Sequence, residues 1–134
     1  PVDAEVLDTK ARAITDRELR SPFAISDVGS VTNLDAIPQA ADELLHLEGV
    51  TAVVVIGDKD ETIHLSGRSR DDRVHMGEAL ASVVEDIPMS NAGGHARMGG
   101  GQISIPHMEG LRVDSGIDRP GLREQLFEAL SGEV

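Results

Sequence analysis

The spacing of apolar residues changes several times along the chain, and each change marks an element. Residues 2–19 place Val6, Ala11, Ala13 and Ile14 among charges, which predicts a helix. Residues 23–28 alternate as a short strand does. Asn33 or Asp35 is suited to cap a second helix through about His46, its apolar face made of Ile37, Ala40, Ala41, Leu44 and Leu45. Residues 51–56 are continuously apolar and β-branched, the pattern of a strand buried on both faces. Gly57, Asp58, Lys59 and Asp60 read as a turn, and residues 61–69 as a more polar strand, so the pair predicts a hairpin at the centre of a sheet.

Asp71 and Asp72 stand where N-caps belong, and Met76, Ala79, Leu80, Val83 and Val84 give the helix after them one apolar face through about Glu85. Pro88 stops it. Residues 91–101 read as loop, residues 102–105 as a strand ended by Pro106, residues 110–120 as a connection, and residues 122–130 as a terminal helix. The predicted order is helix, strand, helix, two strands, helix, loop, strand, helix. That is a single α/β domain over residues 1–134, with a mixed β-sheet of about four to five strands flanked by helices.

Composition narrows the function. Phe23 and Phe127 are the only aromatic residues, too few for a module that stacks bases on exposed rings. There is no cysteine, which removes disulfides, thiolate metal sites and cysteine nucleophiles, and points to a cytoplasmic protein. No apolar run approaches the roughly 18 residues of a membrane span. The N-terminus has no signal-peptide pattern and no initiator Met, which processing or excision from a longer chain would explain. The net charge is −12, with two lysines against ten arginines and 24 carboxylates. A surface of this kind fits a halophilic protein, or simply an acidic and soluble one. In either case duplex DNA is disfavoured as a partner, and an anionic ligand needs a local site.

The glycine-rich segment 91–101 is the candidate for that site. Gly93, Gly94, Gly99, Gly100 and Gly101 lie within eleven residues, and glycine lets backbone N–H groups approach a phosphate closely. His95 and Arg97 stand among them as donors. The acids divide as 13 in residues 1–62, five in 63–107 and six in 108–134, and none lies from Ile87 to Met108. At 24 acids in 134 residues, that window of 22 would hold about four. Burial alone would empty the window too, but would not supply His95 and Arg97. A second element, Ser66-Gly67-Arg68-Ser69-Arg70, puts two arginines and two hydroxyls at a strand end, where charge-assisted bonds to phosphate are worth about 1.5–3 kcal/mol each. Arg70 and Arg73 fit surface pairing with nearby acids, whereas the strand parity of Arg68 can aim it at the glycine segment. His46, His64 and His75 have no partner at metal-ligand spacing, and His107 follows the last strand. No catalytic triad is visible.

Taken together, Ser66-Gly67-Arg68-Ser69, a helix of about a dozen residues, and Gly93-Gly94-His95 before a run of small residues resemble the C-terminal DHH-associated domain of DHH-family phosphoesterases. That group includes RecJ-type exonucleases, oligoribonucleases and cyclic-dinucleotide phosphodiesterases; a related domain ends alanyl-tRNA synthetases. The resemblance covers about residues 50–106, and it departs at Ala92, where the family often has a third glycine. It implies that Gly93, Gly94 and His95 contact substrate phosphate with Arg68 and Ser69 beside them, and Asn91, Arg97, Gly99 and Gly100 complete the expected substrate-binding set. It further implies a separate N-terminal DHH domain that binds Mn2+ or Mg2+ and hydrolyses the substrate. No Asp-His-His occurs in these residues, so neither a catalytic residue nor a metal ligand is expected here. The expected partners are a short single-stranded nucleic acid or nucleotide and the chain's own DHH domain, with a homodimer through a sheet edge as a further option. A non-catalytic nucleotide-sensing module is the alternative.

Overall fold

The computed structural model describes residues 1–105 and 118–132. Helix α1 (Ala4–Asp16) opens at Asp3, whose carboxylate accepts the Glu5 N–H at 2.9 Å. Strand β1 (Glu18–Arg20) pairs antiparallel with β2 (Phe23–Ser30). Helix α2 (Ala36–Leu44) carries the chain to β3 (Ala52–Lys59), which lies parallel to β2, and β4 (Thr62–Ser69) returns antiparallel. Helix α3 (Met76–Val84), strands β5 (Ser90–Gly94) and β6 (Met98–Ser104), and helix α4 (Arg119–Ser131) complete the described chain. The sheet runs β1-β2-β3-β4-β6-β5 and is mixed, with six strands where about four to five were expected.

Residue parity fixes the layers. Ala52, Val54 and Ile56 of β3 and Ile63 and Leu65 of β4 pack against Leu80, Val83 and Val84 of α3 and Leu122, Leu126 and Leu130 of α4. Ala24 and Val28 of β2 and Val53 and Val55 of β3 pack on the opposite face against Ala13 of α1 and Ile37, Ala40 and Leu44 of α2. Strand β3 is thus buried on both faces, as its unbroken apolar run predicts.

Three expectations need correction. The hairpin turn between β3 and β4 lies at Asp60 and Glu61, whose φ angles are 50° and 64°, not at residues 57–60. Gly57 sits within β3 because a Cβ there would lie 2.7 Å from Ile37 Cδ1. The cap of α3 is His75, whose Nδ1 accepts the Glu78 N–H at 3.0 Å. Asp71 is drawn away from capping by two hydrogen bonds from the Arg73 guanidinium, which hold its carboxyl far below the usual range. Finally, residues 91–101 are not loop: they fold as the β5–β6 hairpin at one end of the sheet.

Candidate ligand-binding site

The β5–β6 hairpin has a three-residue tip, His95-Ala96-Arg97, and its backbone is held from one side. The His95 N–H donates to Met98 O at 2.7 Å, closing the turn. The Met76 and Gly77 N–H groups at the start of α3 donate to the carbonyls of Ala96 and His95, both at 2.9 Å, and the Ser69 N–H donates to Arg97 O at 2.9 Å. The leading N–H groups of a helix ordinarily lack partners and attract anions. Here those of Met76 and Gly77 clamp the tip, so an anion near this hairpin would be met by the exposed side chains of His95 and Arg97. One counter-charge lies close: Asp72 approaches Arg97 at 3.6 Å, with the two side chains 95% and 68% exposed. A pair so exposed is worth about 0–1 kcal/mol and yields readily to a ligand.

The glycines around the hairpin fall into two kinds. A Cβ on Gly77 would lie 2.5 Å from the backbone of Gly94, one on Gly101 would lie 2.7 Å from Ala92 Cβ, and one on Gly99 would press on Gly93 O at 3.1 Å. Gly94 also has φ +143°. Gly77 and Gly99 let α3 sit directly on the hairpin, while Gly94 and Gly101 let its two strands close on each other, so all four belong to the fold. Gly93 and Gly100 are different. They are paired across the two strands, neither has a φ in the left-handed region, a Cβ on Gly93 would meet nothing within 4 Å, and one on Gly100 only Leu65 O at 3.5 Å. Packing within the described residues does not require glycine at either place.

Both lie on the sheet face that α1 and α2 cover further along, over β2, β3 and part of β4. A groove of about 340 Å³ opens there between the start of α2 and the sheet. Leu34, Ile37 and Pro38 form its wall, and His64, Ser66, Gly100 and Gln102 its floor, with Asn91 at the edge strand. Cross-strand register brings these together: His64 faces Gln102, Ser66 faces Gly100, and Asn91 faces Gln102 from the other side. Burial lowers the His64 pKa, with nearby Asp58 opposing and Lys59 reinforcing the shift. The shift favours the neutral imidazole.

The sequence-based site residues are only partly convergent. Asn91, Gly93 and Gly100 share the groove face, and His95 and Arg97 form the tip beside it. Gly99 serves packing against α3, and Gly94 is fixed by its φ of +143° and by the backbone of Met98 and Gly99 across the hairpin. Arg68 lies on the groove face, opposite Met98, but its Nε donates to Asp42 of α2 at 2.8 Å and its Nη1 to Gly67 O at 3.0 Å. It is thus neutralised by an acid from another element, not aimed freely at the hairpin. Ser69 points to the opposite face, where its Oγ donates to the Asp71 and Val74 carbonyls and accepts the Asp71 N–H, so it does not stand beside Arg68 toward a ligand. Arg73 pairs with Asp71 as expected, and Arg70 donates to Val50 O at 2.6 Å. His107 lies outside the described residues. Missed by the sequence were His64 and Gln102, whose only signal is a parity shared with Ser66 and Gly100. Among the described residues no three His, Asp or Glu side chains converge to hold a metal ion.

A three-layer α/β domain with a mixed six-stranded sheet and a clamped glycine hairpin at one end is the class of structure these observations define. Residues 20–113 match the DHHA1 domain, and the chain belongs to that family. Over 134 residues it is 29% identical to an uncharacterized protein of Methanocaldococcus jannaschii, covering 99% of this chain and 26% of that protein. The chain therefore spans about a quarter of the length of the curated relative it matches. Among solved structures it is similar to the C-Ala domain of Aquifex aeolicus alanyl-tRNA synthetase, with a TM-score of 0.62 and 19% identity over 87% of this chain and 98% of that one. It is also similar to an exopolyphosphatase-related protein from Bacteroides fragilis (TM-score 0.61, 13% identity, 96% of this chain and 35% of that one). A pGpG-specific phosphodiesterase of Vibrio shares the fold as well, with a TM-score of 0.57 and 14% identity over 97% of this chain and 40% of that one. At these identities the likeness to the solved structures is one of fold. No helix of the described residues is long and apolar enough to cross a membrane.

Proposed function

We propose that this DHHA1 domain holds the phosphate-bearing end of a nucleotide or short single-stranded nucleic acid for a metal-dependent phosphoesterase of the DHH kind. The observation that carries this reading is the hairpin tip. Its carbonyls are tied back to α3 and β4, which leaves His95 and Arg97 as exposed donors on a rigid support, at the end of the sheet where the acid-free window lies. Rigid donors bind an anion without first losing side-chain and loop freedom. The relatives' printed names, an exopolyphosphatase-related protein and a pGpG-specific phosphodiesterase, fit a phosphoester or phosphoanhydride ligand. In this reading the Mn2+ or Mg2+ centre and the hydrolytic step belong to an N-terminal DHH domain, as the resemblance to DHH-family phosphoesterases implies.

Isothermal titration of the chain with 5′-AMP and a 5′-phosphorylated dinucleotide tests the binding role. His95→Ala and Arg97→Ala should each weaken binding about tenfold, the value of one hydrogen bond to a charged group. Affinity unchanged in both variants would refute the assignment to the tip.

A further inference from the structure

The two ends of the sheet are finished differently. At one end β1 has three residues, and two of them, Glu18 and Arg20, are charged and paired with each other at 2.8 Å. So short and charged an edge strand does not invite another strand. At the other end β5 offers Ser90-Asn91-Ala92-Gly93-Gly94, where the largest side chain is that of Asn91. Charge and proline, two usual means of blunting a sheet edge, are absent there.

The alternation of hydrogen bonds along the hairpin shows which backbone groups face outward. The Ser104 N–H donates to Met89 O and the His95 N–H to Met98 O, so 89–104 and 95–98 are bonded pairs. Bonded pairs recur at every second residue of an antiparallel ladder, which makes 91–102 and 93–100 bonded as well. The N–H and C=O groups of Asn91 and Gly93 therefore point to β6, and those of Ser90, Ala92 and Gly94 point away from it. Among the described residues these outward groups have no hydrogen-bond partner. Water can satisfy them, and so can a second strand.

A second copy of β5 fits this edge. An antiparallel seam with its two-fold axis at Ala92 sets that residue against Ala92 of the partner subunit, and Ser90 against the partner's Gly94. The outward groups then bond one another with none left over. Side chains do not obstruct the seam: serine meets glycine and alanine meets alanine on one face, and asparagine meets glycine on the other. Charge favours the same place. Copies of net charge −12 repel each other, and β5 lies in the stretch from Ile87 to Met108 that holds no acid. Continuing the register past the strand puts Arg97 opposite the partner's Ile87 and next to the partner's Asp86, and both Arg97 and Asp86 are exposed.

We infer that the β5 edge is an interaction surface for a second copy of this chain, which joins two sheets into one through an antiparallel β5–β5 seam. The seam uses backbone groups of β5, whereas the phosphate reading of the tip uses side chains, so either can fail without the other. A five-residue strand is about 17 Å long, so the seam is short and the dimer forms with rising concentration instead of being obligate.

Sedimentation equilibrium of the chain from micromolar to millimolar concentration, with amide hydrogen exchange followed by NMR at both ends of that range, tests the seam. The expected result is a reversible monomer–dimer equilibrium. In the dimer the amides of Ser90, Ala92 and Gly94 should exchange several-fold more slowly, while those of Asn91 and Gly93, already bonded to β6, change little. Ala92→Pro removes the central N–H and puts a ring in the seam but breaks no bond to β6, so it should keep the wild-type circular dichroism and stay monomeric throughout. A wild-type chain that is monomeric at millimolar concentration overturns the inference. So does a dimer that survives in folded Ala92→Pro, or one that forms without slowing exchange at Ser90, Ala92 and Gly94. Should Ala92→Pro fail to fold, the exchange pattern of the wild-type chain decides alone.

Discussion

Replacing glycines one at a time separates those the fold needs from those it does not. Gly77 and Gly93 both lie at the α3–hairpin end of the domain, yet alanine at each should act in opposite directions. At Gly77, in the first turn of α3, helix propensity alone favours alanine by about 1 kcal/mol. The added Cβ, however, would lie 2.5 Å from Gly94 C and O and 2.7 Å from Gly94 N, all backbone atoms that no side-chain rotation can move. Helix α3 would have to lift off β5, and the overlap should cost about 1–3 kcal/mol net. At Gly93 a Cβ meets nothing within 4 Å, and its φ is not left-handed. Alanine there should stabilise by about 0.4–1 kcal/mol through the unfolded chain's lost freedom. Unfolding entropies of about 2.1 cal/mol/K per residue convert 1 kcal/mol to about 3–4 °C for 134 residues. Differential scanning calorimetry should therefore show Gly77→Ala melting several degrees below wild type and Gly93→Ala level with it or up to about 4 °C above. In nucleotide titrations the order should change: Gly93→Ala, though stable, should bind several-fold more weakly. If Gly77→Ala were the more stable variant, the close seat of α3 on the hairpin would be wrong. If Gly93→Ala lost neither stability nor affinity, that glycine would have no part in the site.

The other predictions concern charge and hydroxyl groups. Ser69→Ala should cost about 1–3 kcal/mol in urea denaturation, because three main-chain contacts of a buried hydroxyl are lost, without any change in nucleotide affinity beyond that of the folded fraction. A selective loss of affinity would return Ser69 to the binding site. Asp42→Asn releases Arg68 from a pair whose acid is 58% exposed, so it should raise tripolyphosphate affinity by up to about fivefold, an effect that fades above 0.5 M salt; an unchanged affinity would show Arg68 out of reach of the ligand. Arg119 spans Asp27 and Asp58 at 2.7 and 2.8 Å, and Arg119→Met should cost about 2–3 kcal/mol at pH 7. Burial alone would raise the Asp27 pKa and is the largest single influence, but the Arg119 hydrogen bonds, the Gly29 N–H and the charges of Arg119 and Arg123 together outweigh it and the net shift is downward. A depressed folded pKa stabilises the protein above the unfolded value of about 3.9 and is lost as pH falls through the folded value. The gap between wild type and Arg119→Met should therefore narrow from pH 7 to pH 3; a gap equal at both pH values contradicts the pairing.

The parts of this fold that were legible in the sequence are those where one residue type has one physical meaning. An unbroken run of β-branched residues means a strand buried twice, and β3 is that strand. Apolar residues at helical spacing mean a face against the sheet, and α2 and α3 bury Ile37, Leu44, Leu80 and Val84 accordingly. Strand β1 was invisible because three residues, two of them exposed, have no pattern to show. Asp71 was mistaken for a cap because nothing in the sequence tells that Arg73 and Thr51 hold its carboxylate.

Glycine is the harder case, since it has no polarity to alternate, and the same letter answers to opposite causes. Gly57 lies inside β3 because Ile37 needs the space, and Gly99 and Gly101 lie inside β6 because α3 and Ala92 do. In a one-dimensional reading such residues look like loop, which is how β5 went unrecognised and how β6 was read only from residue 102 onward. Once register is known, the ambiguity becomes informative. On β6, alternate glycines face opposite sides: Gly99 and Gly101 face α3 and are accounted for by contacts, whereas Gly100 faces the groove and is not. The residue left without an internal reason is therefore the one whose reason should be external. Its partner Gly93 meets the same condition on the neighbouring strand, and Asn91 and Gln102, whose carboxamides make no hydrogen bond within the described residues, lie next to them on the same face. The sequence singles out residues 91–101 as a candidate site, and the pairing of strands tells which side of that segment the proposed ligand would have to occupy.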